Sequence, residues 1–368
     1  MSEFDSSKIE YIIGIMSGTS LDGLDIAACS FARDTEVWKY TVAAAETVVY
    51  DAKWRHRLAG AQNLSSFELI QLHNEFGSYV GKSVADFCKR NKINPSKSWI
   101  SSHGHTVFHR PEQGVTLQIG SGIHIADAAC MPVVYDFRTA DVALHGQGAP
   151  LVPVGDKFLF STYNAFLNIG GFANCSYFSE DRLIAFDICP ANIVLNYFSS
   201  QAGKSYDKNG NIGRNGKLNR IVLERLNSLP YYSLNPPKSL GREWVEQNIF
   251  PFFEDAGLSP EDCLRTYYEH IAVQIKSVLN EYSNILVTGG GAHNSFLMEL
   301  MNDDVVKPFV IPNKQCVDFK EAIVFAFLGY LKLLGQPNVL SSVTGADYDH
   351  SSGIVVYPSN SKQFTVNK

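Results

Sequence analysis

Polar and apolar positions alternate through the early part of the chain with the two-residue period of a β-strand. Residues 11–16, 24–31 and 37–49 predict three antiparallel strands, joined by a glycine-rich turn and by the polar run at 32–36. The period then lengthens. Between Leu64 and Lys92 apolar residues recur every three or four positions (Phe67, Ile70, Leu72, Phe76, Val80, Val84, Phe87), which predicts an amphipathic helix stopping near Asn91 to Lys97. Strand patterns return at 99–102, 106–108 and 116–119, followed by a helix at 123–130 and a strand at 132–135.

The opening pattern recurs in the second half. Residues 164–178 again read as strand, glycine turn and strand, and 183–187 supply a third strand ahead of a helix. Helices follow near 217–227, 241–256 and 261–282, then a strand at 284–290, a helix after Asn294, a strand at 308–311 and a strongly apolar helix at 318–334. Three strands and then alternating helices and strands, occurring twice, fit a duplicated α/β protein with two lobes and a central cleft faced by the glycine turns. The expected division is 1–135 with 336–368 for one lobe and 136–335 for the other.

Composition narrows the class. At 368 residues, with 45% hydrophobic and 18% charged positions, the chain is globular, and no run approaches the roughly 18 apolar residues of a membrane span. Its start, MSEFDSSKIE, has neither the basic nor the apolar stretch of a secretory signal, so a cytoplasmic location is expected. The seven cysteines form no CxxC pair and are expected as reduced core thiols. A net charge of −6 without a basic run argues against nucleic acid as a partner and for a small ligand.

The residues that could carry chemistry gather at the turns. In MSGTSLDG the glycines Gly18 and Gly23 expose backbone N–H groups, and Ser17, Thr19 and Ser20 add hydroxyls, which suits an anion such as phosphate. No lysine completes a GxxxxGK[ST] pattern, so the charge of a nucleotide phosphate would have to be offset mainly by a metal ion, with Asp22 as its candidate ligand. A plain tight hairpin remains the alternative. Gly170 and Gly171 form a second such turn, and Gly289, Gly290 and Gly291 a third; three in one chain favour a phosphate and adenosine site.

Asp187 is expected to end a strand just before a helix opened by Pro190, where the helix's positive end would keep it ionised. It is then either a general base or a helix cap. Glu321 falls in the first turn of a helix apolar nearly all round, so burial is expected, with a cap, partner or ligand. Arg138 either presents donors to a carboxylate or pairs with Asp136 or Asp141 at the surface. His103 and His105 share a strand face, as zinc ligands sometimes do, with His109, His124 or His145 as a third; polar lining of the cleft is the preferred reading.

Taken in order, IGIMSGTSLDGLD, HGHTVFH, TLQIG, DFRTADVALHGQGAPLVP, LNIGGFAN, FDICPAN, QAGKSYDKNG, PPKSLGRE, VTGGGAHN, DFKEA and SVTGA resemble the 1,6-anhydro-N-acetylmuramic acid kinase family over nearly the whole chain. That family sits within the superfamily of sugar kinases, actin and heat-shock ATPases. The resemblance implies a two-lobed, ribonuclease H-like fold and a homodimer of the bacterial cytoplasm. It also implies an ATP- and Mg²⁺-dependent enzyme that opens the anhydro ring with water and phosphorylates O6, giving N-acetylmuramic acid 6-phosphate for cell-wall recycling.

By the same resemblance Asp187 would activate the water. Gly18, Thr19, Ser20, Leu21, Asp22, Gly23, Leu24 and Asp25 would hold phosphates and metal, and Gly170, Gly171, Gly289, Gly290, Gly291 and Asn294 would also lie at the nucleotide. Arg138, Glu321 and His103 would meet the sugar. Ordinary glycoside hydrolysis needs a second carboxylic acid to protonate the leaving oxygen; here a phosphoryl group traps that oxygen, so one carboxylate suffices. Two departures stand out. The family's usual Thr-Gly-Pro-Gly-Asn reads Ile188-Cys189-Pro190-Ala191-Asn192, and its glutamine after His-Gly is His105. They leave open another anhydro sugar or slower turnover, and an ATPase module without sugar chemistry is the alternative from a different class.

Overall fold

The computed structural model describes residues 8–18, 20–34, 37–179, 182–236, 238–303 and 309–359. Thr19, Pro308, part of the polar turn at 35–36 and the last nine positions, all used in the sequence reading, lie outside the described residues. The chain forms two compact units, one of residues 1–160 with 319–368 and one of residues 161–318. Twelve strands occur among the described residues: β1 (Tyr11–Ser17), β2 (Gly23–Asp34), β3 (Val37–Val49), β4 (Ser98–Arg110), β5 (Val115–Ile119), β6 (Val133–Tyr135), β7 (Ala165–Ile169), β8 (Phe172–Ser179), β9 (Arg182–Pro190), β10 (Ile285–Thr288), β11 (Phe309–Val310) and β12 (Ile354–Val356).

In the first unit the sheet order is β12-β6-β4-β1-β2-β3, with β5 added to β4. The meander β1-β2-β3 is antiparallel, whereas β4 pairs parallel with β1 and with β6. In the second unit the order is β11-β10-β7-β8-β9: an antiparallel meander β7-β8-β9, then β10 parallel to β7 and to β11. The same order and the same sense of pairing thus occur twice, which establishes the expected duplicated α/β fold at the level of topology.

A parallel neighbour requires a crossover, and helices supply it. In the first unit the helix Ser66–Asn91 runs between β3 and β4. It starts with a capping box, in which the Ser65 hydroxyl accepts from Glu68 N–H and the Glu68 carboxylate accepts from Ser65 N–H, and it ends at left-handed Lys92. Leu72, Phe76, Val80, Val84 and Phe87 are buried as the spacing predicts. Phe67 and Ile70, assigned to the same face, are exposed instead, because the first turn runs beyond the layer it covers. In the second unit the helix Pro260–Leu279 is the centre of the core, with Tyr267, Tyr268, Ile271 and Ile275 fully buried.

Several boundaries moved. The two short strands expected at 99–102 and 106–108 are one thirteen-residue strand, β4, which passes through left-handed Gly104 (φ +77°). The expected helix at 241–256 is two, Arg242–Asn248 and Phe250–Ala256, parted at Ile249. A helix at Ala52–Ala59 had no periodic signal. The apolar helix begins earlier, at Lys314, ends at Leu333 and breaks helical geometry at Phe319 (φ −121°, ψ 15°). All seven cysteines are free, and six are buried; Cys130 is exposed.

Candidate active site

In the first unit, the β1–β2 turn is built around residues that satisfy one another. Ser17 ends β1 buried, and its hydroxyl accepts from Tyr50 OH (2.7 Å) and meets His105 Nδ1 (3.0 Å). Leu21 takes the left-handed conformation (φ 59°), and its N–H reaches Gly18 O (3.4 Å). The Ser20 hydroxyl donates to Asp22 Oδ1, and Thr47 donates to Asp25 Oδ1 (2.5 Å). The two glycines differ in kind. A Cβ at Gly23 would sit 2.6 Å from Thr47 Cγ2 and 2.8 Å from Val48 O, so the hairpin itself requires glycine there. Among the described residues other than its chain neighbours, a Cβ at Gly18 would meet nothing nearer than Ser20 Oγ at 3.5 Å, so no such close contact demands glycine there.

His105 meets Ser17 through Nδ1. It is buried, held below its usual pKa by that burial, and braces Ser17 beneath the turn. His103 is buried too, and its Nε2 accepts from Arg138 Nε (3.0 Å). Because a guanidinium only donates, the proton must lie on Nδ1, which faces Gly104 O (3.0 Å). Burial first, and the adjacent Arg138 charge second, keep His103 neutral. Among the described residues no group of three metal-ligating side chains occurs, so the histidine pair forms no zinc centre there.

Arg138 is held at two points, His103 and Gly148 O (Nη1, 2.5 Å), rather than pairing with Asp136 or Asp141 at the surface. Asp141 is fully buried and serves the neighbouring loop, accepting from Gly148 N–H (2.6 Å) and the Thr344 hydroxyl (2.7 Å). Glu321 is exposed, against expectation, although Ala322 to Leu328 behind it are all buried. Its carboxyl is reachable by water yet crowded by protein, and that crowding, then the Asp25 carboxylate, raise its pKa against the pull of Lys320 and Arg138. Lys320 itself turns inward to Asp156 (2.7 Å), a pair buried on both sides.

These oxygens suit Mg²⁺. That ion ordinarily takes one or two carboxylates and completes its shell with phosphate and water oxygens. Exposed Asp22 and half-buried Asp25 offer two carboxylates on one hairpin, and the like-charge pressure between Asp25 and Glu321 is what a cation relieves.

In the second unit Asp187 lies inside β9, not at a helix start, since the strand continues to Pro190 and the helix Asn192–Gln201 begins after Ala191. A bulge sits at this point: Ala173 faces Cys189 and Asn174 faces Asp187, leaving Ile188 as the extra residue. The Asp187 carboxylate is half-buried and accepts from Leu240 N–H (2.9 Å). Its backbone is fixed by Tyr231 OH on its carbonyl (2.6 Å) and by its own N–H on Lys238 O (3.3 Å). Burial raises its pKa and the Leu240 bond partly opposes the rise. The expectation of an acid held ionised by a helix dipole is thereby replaced by one made more basic through desolvation, which favours a general base.

In the Ile188-Cys189-Pro190-Ala191 departure, Ile188, Cys189 and Ala191 are buried in the apolar core of the unit. The neighbouring N–H groups of Ala191, Asn192 and Ile193 donate to Gly171 O, Gly170 O and Gly171 O. In the third cluster Gly289 is left-handed (φ +83°), and a Cβ at Gly291 would strike Ile169 Cγ2 at 2.2 Å, while Gly290 has only Asn192 Nδ2, at 3.9 Å. Asn294 caps the helix Ser295–Asn302 through Leu297 N–H (3.1 Å), and its Nδ2 donates to Tyr268 OH (2.8 Å).

Among the described residues, apart from its two chain neighbours, nothing lies within 4 Å of a Cβ built on Gly171. Gly171→Ala should then melt within about 0.5 kcal/mol of the parent while Gly291→Ala loses about 1–3 kcal/mol. A higher KM for nucleotide in Gly171→Ala alone would mark that turn as a place where ligand meets bare backbone. Equal destabilisation of the two variants would remove the distinction.

One mixed-sheet topology used twice, each copy opening on a glycine hairpin, defines the class: a duplicated α/β protein. The anhydro-N-acetylmuramic acid kinase family profile matches residues 10–358. The chain is 32% identical over 381 residues to the anhydro-N-acetylmuramic acid kinase of Haemophilus influenzae, covering 95% of this chain and 98% of that one. It is 35% identical over 374 residues to that of Pseudomonas syringae pv. syringae, covering 95% and 99%. Among solved structures it is similar to the (R)-2-hydroxyglutaryl-CoA dehydratase component A of Acidaminococcus fermentans, at 10% identity and a TM-score of 0.46, covering 88% and 98%. This chain belongs to the anhydro-N-acetylmuramic acid kinase family.

Residues that sequence reasoning left without a role include Tyr50, which braces the turn through Ser17, and the Tyr231–Leu240 segment that holds Asp187. Of these, Lys238 and Leu240 fall in the motif PPKSLGRE, whereas Tyr50 and Tyr231 lie in none; the contacts span 33 to 53 positions of chain.

Proposed function

We propose that the protein uses ATP and water to convert 1,6-anhydro-N-acetylmuramic acid to N-acetylmuramic acid 6-phosphate in cell-wall recycling. The family match along residues 10–358 carries this reading. Full-length kinship to proteins named as kinases disfavours a bare ATPase module.

Asp187 takes a proton from water as its oxygen attacks C1 of the bicyclic acetal. The C1–O6 bond breaks, and O6 takes the γ-phosphoryl group of ATP, releasing ADP. Trapping by phosphoryl transfer spares the enzyme a separate acid for the leaving oxygen. The desolvated carboxylate supports this assignment, because a base is most effective when its pKa approaches working pH. The backbone at Gly18 would receive phosphate, and Asp22 with Asp25 would hold Mg²⁺, which supplies charge neutralisation of the phosphates. Arg138, fixed by neutral His103, and Glu321 would bind sugar hydroxyl and amide groups. Gly170, Gly171 and Gly290 would admit the nucleotide to main chain.

A homodimer in the bacterial cytoplasm completes the proposal and rests on the family likeness; no helix among the described residues is long and apolar enough to cross a membrane. Reaction in ¹⁸O-labelled water is the direct test. The 6-phosphate product should carry the label on C1, and release of ADP without any phosphosugar would defeat the proposal.

A further inference from the structure

We propose that Lys238 is the specificity-determining cation of this enzyme, recognising the carboxylate of the lactyl ether that distinguishes muramic acid from other N-acetylated anhydro sugars. The inference rests on the kinase reading above and adds a residue and a substrate group to it.

Lys238 belongs to the segment that fixes the base. Its carbonyl accepts from Asp187 N–H (3.3 Å), and two residues on, Leu240 N–H donates to Asp187 Oδ2 (2.9 Å). Tyr231 closes the same ladder through its hydroxyl on Asp187 O (2.6 Å). The backbone of the Lys238–Leu240 stretch is therefore tied to Asp187 by two hydrogen bonds, and Tyr231 adds a third. The Lys238 Nζ lies 4.8 Å from the Tyr231 ring centre and 5.3 Å from that of Phe186, and it donates to Tyr231 O (3.2 Å).

Two ring faces and a carbonyl are an unusual setting for a lysine. Ring quadrupoles attract the cation and steer its long stem, yet they accept no full hydrogen bond, so they hold the charge without neutralising it. The ammonium has three donors, and one of them is engaged with Tyr231 O. Half-burial lowers the Lys238 pKa, and among the described residues no carboxylate forms an ion pair with it. Removing a cation from water without a carboxylate partner is costly, and an anionic ligand group offsets that cost on arrival. The sugar named by the family bears one such group beyond the ring that Asp187 serves. A phosphate of the nucleotide is the competing anion, and the Mg²⁺ that Asp22 and Asp25 would hold offsets its charge.

The test uses the intact protein and two bicyclic sugars, 1,6-anhydro-N-acetylmuramic acid and 1,6-anhydro-N-acetylglucosamine, which lacks the lactyl ether. Lys238→Met keeps the apolar stem over the rings. It should raise KM for the acid at least about tenfold, the scale of one charge-assisted contact, with kcat within about threefold and KM for the neutral sugar unchanged. Lys238→Arg should keep the preference for the acid. The wild-type protein should show a similar rise in KM when the lactyl carboxylate is converted to its amide, a measurement that needs no variant to fold.

An unchanged KM for the amide overturns the proposal. So does an equal loss on both sugars in Lys238→Met, which would make Lys238 a support for Asp187, or a rise in KM for ATP alone. Failure of the wild-type protein to turn over either sugar overturns the kinase reading itself and is thereby distinct from these outcomes.

Discussion

Replacing Asp187 by asparagine is expected to lower kcat by at least about 100-fold, the range assigned to loss of a positioned general base, while the KM for nucleotide stays close to the parent value. Asparagine is nearly isosteric, and its Oδ1 can still accept from Leu240 N–H, so the bulge in β9 and the Tyr231 contact should persist. What disappears is the proton acceptor. The wild-type pH profile offers an independent check. Burial favours the neutral acid, so the Asp187 carboxyl releases its proton only above the ordinary carboxylate value. Because the base works ionised, kcat/KM should fall as pH drops through that raised pKa, with the acid limb displaced upward. Asp187→Asn should lose that limb. An unchanged turnover number, or a limb at the value of a free aspartate, would take Asp187 out of the mechanism.

Gly14→Ala should be the most damaging small substitution in the first unit. Gly14 is central in β1, paired with Ala27 on one side and Ser101 on the other. A Cβ there would lie 1.9 Å from Ala322 O, 2.7 Å from Ala326 N and 2.9 Å from Ala322 C. These are backbone atoms of the apolar helix, so no side-chain rotamer relieves the clash and the helix must shift as a body. The expected cost is about 3 kcal/mol or more, read as a lowered melting temperature or loss of soluble protein. Surviving protein should also bind sugar less well, since that helix carries Glu321. A parent-like melt would show that β1 and the helix are not packed backbone to backbone.

The two predictions differ in how far sequence anticipates them. Asp187 was picked out by its place after an apolar run and by the family resemblance, but its environment was misread. Pro190 suggested a helix start, whereas ladder pairing with β8 extends the strand through that proline. Local propensity yielded to a tertiary partner. Gly14 raised no signal at all, because its neighbour Ala322 is more than three hundred positions away and the constraint exists only once the helix lies on the sheet. Glu321 shows the same limit from the other direction. A carboxylate heading an apolar helix predicts burial, yet the helix starts at Lys314 and Glu321 is exposed just after the break at Phe319, although Cys316, Val317 and Lys320 before it are buried. Phe67 and Ile70 are likewise exposed within an otherwise buried pattern, near the start of the helix Ser66–Asn91.

Periodicity and turn chemistry alone determined the alternation of strands and helices, the three glycine turns, the reduced cysteines and, through the order of the motifs, the family. These follow from interactions within a few residues, which a sequence displays directly. Only the tertiary structure decided that His105 braces Ser17, that neutral His103 fixes Arg138, and that Ile188, Cys189 and Ala191 belong to the core. It also decided that Lys238 and Leu240 frame Asp187, and that the chain passes from one unit to the other within the helical run broken at Phe319. Each of these depends on burial and on contacts between distant segments. Both are properties of packed surfaces, and a one-dimensional pattern does not encode which surfaces meet.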